Sequence, residues 1–426
     1  MPFGDQSPLD ERRLFARIAW RVMPLLTFGY LLNYLDRNNI SFAALTMNQE
    51  VGLTATQFGR GAGVLFLGYC LFEVPSNVVL YKVGARRWIS RIMISWGLVS
   101  AATIFVRGPY SFYFFRFLLG AAEAGFFPGV AFYLGTWFPA EYRARIVAWF
   151  MVAIPISSVV GGPVSGLLLR MDGLGGVAGW QWLFLLEGLP VAAVGLVVLW
   201  RLADRPEDAD WLLEEERNVV RARLAGERRE REVRRLLPAL GDIRVLILSG
   251  VQFGFLVGSY GVTIFLPQII KVGHLSDLQV GFVTSGCFAV ASVGMIAWAT
   301  YVDRRGGKIL NLALACLVSA LGFVASITAG SFWLSIVGVT ISLVGINAAR
   351  GIFWTIPPRF LTGLAAAGGL AFINSIGTAG GFVGPYLMGW LTDRTGSFSA
   401  GLTAMAGFLL AAAVLSGSLA FVVAQD

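Results

Sequence analysis

The chain has 426 residues, of which 56% are hydrophobic and only 14% charged, with a mean hydropathy of +0.71. Soluble domains carry about 25% charged residues, so this composition excludes a soluble globular protein and points to a polytopic membrane protein. The net charge of +8 sits in short basic clusters between long apolar stretches, which follows membrane topology and argues against nucleic-acid binding.

A helix needs about 20 apolar residues to cross the hydrocarbon core. By that measure spans fall near 20–45, 57–81, 88–106, 110–136, 146–170 and 180–202, and again near 244–270, 279–301, 309–329, 331–357, 365–391 and 398–423. The expectation is an all-α membrane protein of twelve transmembrane helices in two six-helix halves. The parts are an N-terminal segment (1–19), a first bundle (20–202), a charged linker (203–243) and a second bundle (244–424). The 52 glycines and 16 prolines suit membrane helices, where neighbours re-satisfy freed backbone groups.

The first apolar run follows Arg12, Arg13, Arg17 and Arg21 and has no small-residue cleavage site, so it reads as a first span and not a signal peptide. With that end inside, 25 Lys and Arg fall on the cytoplasmic side. They include Lys82, Arg86, Arg87 and Arg91 after span 2, Arg304, Arg305 and Lys308 after span 8, and Arg359. Five fall outside: Arg60, Arg107, Arg170, Lys271 and Arg394. The bias predicts a multi-pass protein of the inner cell membrane with both termini cytoplasmic.

The interval 203–243 holds 20 charges in 41 residues, in runs such as Glu214-Glu215-Glu216 and Arg228-Arg229-Glu230-Arg231. It reads first as a solvated linker, with short surface helices around Trp211, Leu212 and Leu213 as the alternative. Internal repetition supports two halves. A basic loop follows the second span of each half, Lys82-Val-Gly84-Ala-Arg86-Arg87 and Asp303-Arg304-Arg305-Gly306-Gly307-Lys308. Spans 5 and 11 share a Gly-Pro pair, Gly162-Pro163 and Gly384-Pro385. Two related halves around a midplane site is a transporter architecture.

Ionisable groups inside spans are costly, by about 2.5–3.5 kcal/mol on insertion scales, and work in aqueous cavities. They are Asp36, Arg37, Glu73, Arg116, Glu123, Glu187 and Arg350. Arg116 and Glu123 are two turns apart and share a face of span 4, whereas the adjacent Asp36 and Arg37 diverge by about 100°. An arginine fork suits a carboxylate, and a shielded acid can carry a proton near neutral pH. Arg37 and Arg116 are therefore expected to bind the substrate carboxylate, with Asp36 and Glu123 as proton-coupling acids. The competing reading is a salt-bridge network that only positions spans 1 and 4. Tyr69 offers a hydroxyl to a substrate oxygen, Asn374 an amide to substrate hydroxyls or to a neighbouring helix, and Phe353 with Trp354 an aromatic wall or plain packing. Glu73 reads as structural or gating. Arg350 is an anion contact or an acid's partner, and Glu187 has no assigned role.

The three cysteines, Cys70, Cys287 and Cys316, have no pairing or metal spacing, and the lone His274 lies in a loop. No metal, cofactor or nucleophile–base set is expected, which argues against an enzyme. The interval 203–243 is too short and charged for a sensor's signalling domain.

The Asp303–Lys308 run resembles the basic loop signature of the major facilitator superfamily, with Asp303 and Arg304 in its gating positions. The first-half copy has Tyr81 where that signature has aspartate. Asn33-Tyr34-Leu35-Asp36-Arg37-Asn38-Asn39-Ile40, the stretch from Arg116 to Gly125 with Trp137-Phe138-Pro139, Gly351-Ile352-Phe353-Trp354 with Pro357, and the stretch from Ala371 to Gly377 are similar to that superfamily's anion:cation symporter family. The resemblance covers about 20–424 and is nearest the branch of tartrate, phthalate and related carboxylate carriers. It implies a monomeric secondary transporter that couples a sugar acid, dicarboxylate or aromatic acid to protons or sodium, or exchanges anions. It gives Arg37, Arg116 and Tyr69 to the substrate and Asp36 and Glu123 to the proton. Proton-coupled symport of a carboxylate is the leading expectation, with electroneutral exchange or uniport as the alternative.

Overall fold

The computed structural model describes residues 8–227, 241–357 and 363–423. The Arg228-Arg229-Glu230-Arg231 run, the rest of 228–240, and Arg359 lie outside the described residues. Those described form helices joined by short turns. In the first half they are α1 (Pro8–Val51), α2 (Ala55–Val83), α3 (Ala85–Ala102), α4 (Pro109–Glu123), α5 (Phe126–Trp137), α6 (Ala140–Met151), α7 (Ala153–Leu169) and α8 (Gly179–Arg201). A linker helix α9 (Glu214–Glu227) follows. The second half has α10 (Ile243–Lys271), α11 (Asp277–Arg305), α12 (Lys308–Thr328), α13 (Phe332–Phe353), α14 (Gly363–Thr395) and α15 (Ser399–Val423). Among the described residues, ten stretches are long and apolar enough to cross a membrane by themselves. The longer α1 and α14 take the first place of one half and the fifth of the other.

The second span of each half starts on the same capping box, Thr54 with Gln57 for α2 and Ser276 with Gln279 for α11. In each the cap hydroxyl accepts from the third helical amide and the glutamine side chain answers the cap's own amide. Two predicted spans are broken. Span 4 is α4 and α5 joined at Ala124-Gly125, where Gly125 has φ +89°. A β-carbon there would also meet Ser76, whose hydroxyl donates to the Ala124 carbonyl at 2.7 Å. Glycine therefore serves both the left-handed turn and the close approach. Span 5 is α6 and α7, joined at Val152.

Within the first half α3 packs along α8 and α2 along α4; within the second, α12 packs on α13 and α15. The halves meet through α2 with α14, α7 with α11, and α1 with α10. Gly162 and Gly281 lie so close that a β-carbon on either would meet the other's carbonyl oxygen, the small-residue crossing expected of membrane helices. These contacts gather at one end of the molecule. There Asp393, at the end of α14, accepts the amides of Ala55 (3.0 Å) and Thr56 (2.7 Å) at the start of α2. Arg60 lies 5.5 Å over the Tyr386 ring beside them.

At the opposite end the first half binds its own linker. Arg86 pairs with Asp204 at 3.6 Å, Arg223 with Glu11 at 2.6 Å, and Arg17 with Glu216. The Tyr133 hydroxyl donates to the Ala203 carbonyl at 2.8 Å, and Trp211 stacks on the buried Trp137 at 5.7 Å. Leu212 and Val220 are buried. The first part of the linker is thus a docked strap and not the solvated connector its charge run predicts. Of its apolar residues, Leu212 and Val220 are covered and Trp211 is half-buried while Leu213 stays exposed, and its charges pair with α1 and α3.

Candidate functional site

The break after Glu123 leaves its carboxylate on the last residue of α4. Arg37 Nε donates to Glu123 Oε1 at 2.5 Å, and the Asn33 amide donates to the same oxygen. Glu123 is 1% exposed, whereas the Arg37 side chain keeps 19% of its surface. The guanidinium lies 5.2 Å over the Tyr69 ring and 5.6 Å over the Tyr34 ring, both at cation–π range. Glu73, one turn beyond Tyr69 on α2, is within electrostatic reach of Arg37.

Asp36 points the other way, as its position next to Arg37 requires. It accepts the Ser100 hydroxyl and the Asn39 amide (3.0 Å). Arg116 is 2% exposed, and its Nε and Nη1 have no hydrogen-bond partner. It lies within electrostatic reach of Asp36 first and Glu123 second. Arg116 and Glu123 do share a face of α4, but Glu123 is ion-paired to Arg37 of α1, whereas Arg116 lies within electrostatic reach of both Asp36 and Glu123.

The second half closes the cluster with Tyr260 of α10 and Arg350 of α13. Tyr260 is within electrostatic reach of both Arg37 and Arg350, and its ring lies 4.5 Å from that of Phe66. Arg350 Nη2 donates to Ser259 Oγ at 2.8 Å. The sequence reading missed Tyr260, Ser259 and Asn33. Tyr260 with the adjacent Ser259 is a polar pair in a long apolar run, which was its one signal. The other residues singled out lie further away. Phe353 is wholly enclosed against Phe255 (5.4 Å) and so packs the second half, whereas its neighbour Trp354 is 38% exposed. Asn374 is half-buried on α14, one turn before Gly377, which abuts Gln252. Asp303 and Arg304 are exposed on the last turn of α11, at the end that carries the linker.

Outside the spans, Asp393 is the acid whose environment matters most. Burial works to raise its pKa, but hydrogen bonds from Thr56, Thr54 and Ala55 outweigh that and hold the carboxyl below its ordinary value.

Two six-helix halves closed at one end, with charged side chains from both meeting midway, define a secondary transporter. The model of the Major Facilitator Superfamily matches residues 26–385, and the chain belongs to that superfamily. An Agrobacterium vitis protein named "Putative tartrate transporter" is 50% identical over 410 residues, spanning 95% of this chain and 91% of that one. A "Quinolone resistance transporter" of Acinetobacter baumannii is 38% identical over 396 residues, spanning 92% and 91%. Among solved structures, a bacterial homologue of the human lysosomal transporter Spinster, inward-facing and occupied, superposes with a TM-score of 0.78. It is 17% identical, with 94% of this chain and 96% of that one covered, and so it supports the fold alone.

Proposed function

We propose that this transporter carries a small organic carboxylate together with protons by alternating access. The Arg37–Glu123 pair carries this reading. Glu123 takes up the Arg37 Nε donor that a substrate carboxylate needs. Protonating Glu123 removes its claim on Arg37, and the substrate takes its place, so proton and anion bind together. Asp36 is the second proton-coupling acid, held opposite Arg116. Tyr69, Tyr260 and Trp354 then line the substrate, with Asn374 available to its hydroxyls.

Arg350 gives the reading its finer form. Arg37 and Arg350 come from opposite halves and both lie within electrostatic reach of Tyr260, an arrangement that suits a dicarboxylate bridging the two. The Agrobacterium vitis relatives named for tartrate, 50% and 48% identical, favour the same substrate class. The basic bias of the linker end supports an orientation with both termini in the cytoplasm of an inner membrane. The closed end then faces outward, and the state described is inward-facing.

Uptake of labelled L-tartrate into proteoliposomes tests the coupling. An acidic outside should drive accumulation above equilibrium. Uptake indifferent to the imposed gradient would replace symport by exchange or uniport.

A further inference from the structure

Among the described residues of the first half, the carboxyls of Asp36, Glu123 and Glu187 and the guanidinium of Arg116 are buried, while Arg37 and Glu73 are half-buried. Glu123 is matched by Arg37, and Asp36 lies opposite Arg116. Glu187 of α8 is left without a cation, yet it is 6% exposed. It is packed between three elements. From α7, the Ser165 hydroxyl donates to its Oε1 at 3.2 Å. From α1, Asp36 and the Asn39 side chain both face it. From α3, the Gly97 carbonyl and Ser100 crowd the adjacent Gly188, and Ser100 itself is committed to Asp36.

Two acceptors in this enclosure lack donors: Glu187 Oε2 and Asn39 Oδ1. Asn39 is 1% exposed; one N–H of its Nδ2 donates to Asp36 and the other faces Glu187, which leaves its Oδ1 without a donor. Buried polar groups are normally satisfied. An ionised Glu187 can only accept, and would place an uncompensated charge beside Asp36. A neutral Glu187 instead supplies an O–H donor where one is missing, and leaves two buried anions for the two cations Arg37 and Arg116.

We propose that Glu187 is a further proton-binding site of the transport cycle, neutral in the closed state described here and paired with Asp36 across Asn39. Its proton leaves when Asp36 is protonated, so that the two acids carry one negative charge between them. This rests on the proton-coupled reading above and makes Glu187 the outlet for the proton that Asp36 takes up: Glu187 releases its own proton, Asp36's proton then refills it, and the pair passes one proton in each cycle.

Two measurements on the full-length protein test it. Infrared absorption of protein in nanodiscs at neutral pH should contain a protonated-carboxyl C=O band that Glu187→Gln removes and Glu187→Asp retains at a shifted position. Because the amide mimics the neutral acid, Glu187→Gln should fold. Should it not, ¹³C-glutamate labelling of the wild type must shift part of the same band. In proteoliposomes, the reversal potential for L-tartrate should give a proton stoichiometry lower by one in Glu187→Gln than in wild type. A carbonyl band unchanged by substitution and by labelling, or an unchanged stoichiometry, overturns the proposal. Wild-type transport without proton coupling would overturn the symport reading, and the infrared band would still decide whether Glu187 is neutral.

Discussion

Arg37 donates to Glu123 at 2.5 Å, and so joins α1 to the last residue of α4 where that helix breaks. The same guanidinium stacks on Tyr69 at 5.2 Å. A lysine here keeps the charge but loses the planar fork and the stacked face. Charge-assisted hydrogen bonds contribute about 1.5–3 kcal/mol. Arg37→Lys should therefore raise the KM for L-tartrate by about tenfold or more, with the protein still folded by thermal shift. An unchanged KM would remove Arg37 from the substrate.

Arg350 is expected to read the second carboxylate. Arg350→Gln should weaken binding of L-tartrate by about tenfold or more while leaving a monocarboxylate of similar size, such as glycerate, close to its wild-type affinity. Isothermal titration on purified protein gives both numbers. Equal losses for the two ligands would make Arg350 a general structural cation.

The Asp393 cap on α2 holds the two halves together at the closed end. Its pKa is depressed in that state, so its contribution is complete above the ordinary carboxylate value, about 3.9. It is lost as pH falls through the lower value of the closed form. Asp393→Asn removes the charge at every pH. A lost helix cap costs about 1 kcal/mol, roughly fivefold in population. Spin labels at Leu174 and Val272, exposed near the closed end of each half, should show a larger separated fraction in the variant. The wild type should approach it only under strong acid. A distribution indifferent to the substitution would show that the cap does not hold the gate.

The Gly162–Gly281 crossing leaves no room for a side chain. Gly281→Val forces a β-branched group onto the Gly162 carbonyl, and overpacking of this kind costs about 1–3 kcal/mol. The same spin-label pair should report a shift away from the closed form, with accumulation of tartrate impaired and overall folding retained. Full closure in the variant would mean that α7 and α11 adjust without cost.

Much of this was readable from the residues alone. Apolar length defined the spans, and the divergence of Asp36 from Arg37 followed from helical geometry. Their partners did not follow. Arg116 and Glu123 share a face, which suggests one joint site, but Glu123, at the break before Gly125, is ion-paired to Arg37, whereas Arg116 lies within electrostatic reach of both Asp36 and Glu123. The break had a local signal in Gly125 and Pro128, easily lost in a run rich in glycine. Tyr260 and Ser259 join the cluster only because α10 packs beside α1, a long-range relationship that no local pattern encodes. The linker was misjudged for a related reason: its charges dominate the sequence, whereas its burial depends on Trp211 finding Trp137 more than seventy positions earlier.

The central claim is that protonation of Glu123 frees Arg37 for the substrate, and Glu123→Gln tests it most directly. Efflux of labelled L-tartrate from proteoliposomes should persist when unlabelled tartrate is supplied outside, because the amide leaves Arg37 available. Accumulation driven by an acidic outside should disappear in the same preparation. Gradient-driven accumulation at the wild-type level, or loss of exchange and accumulation together in a folded variant, would contradict the account.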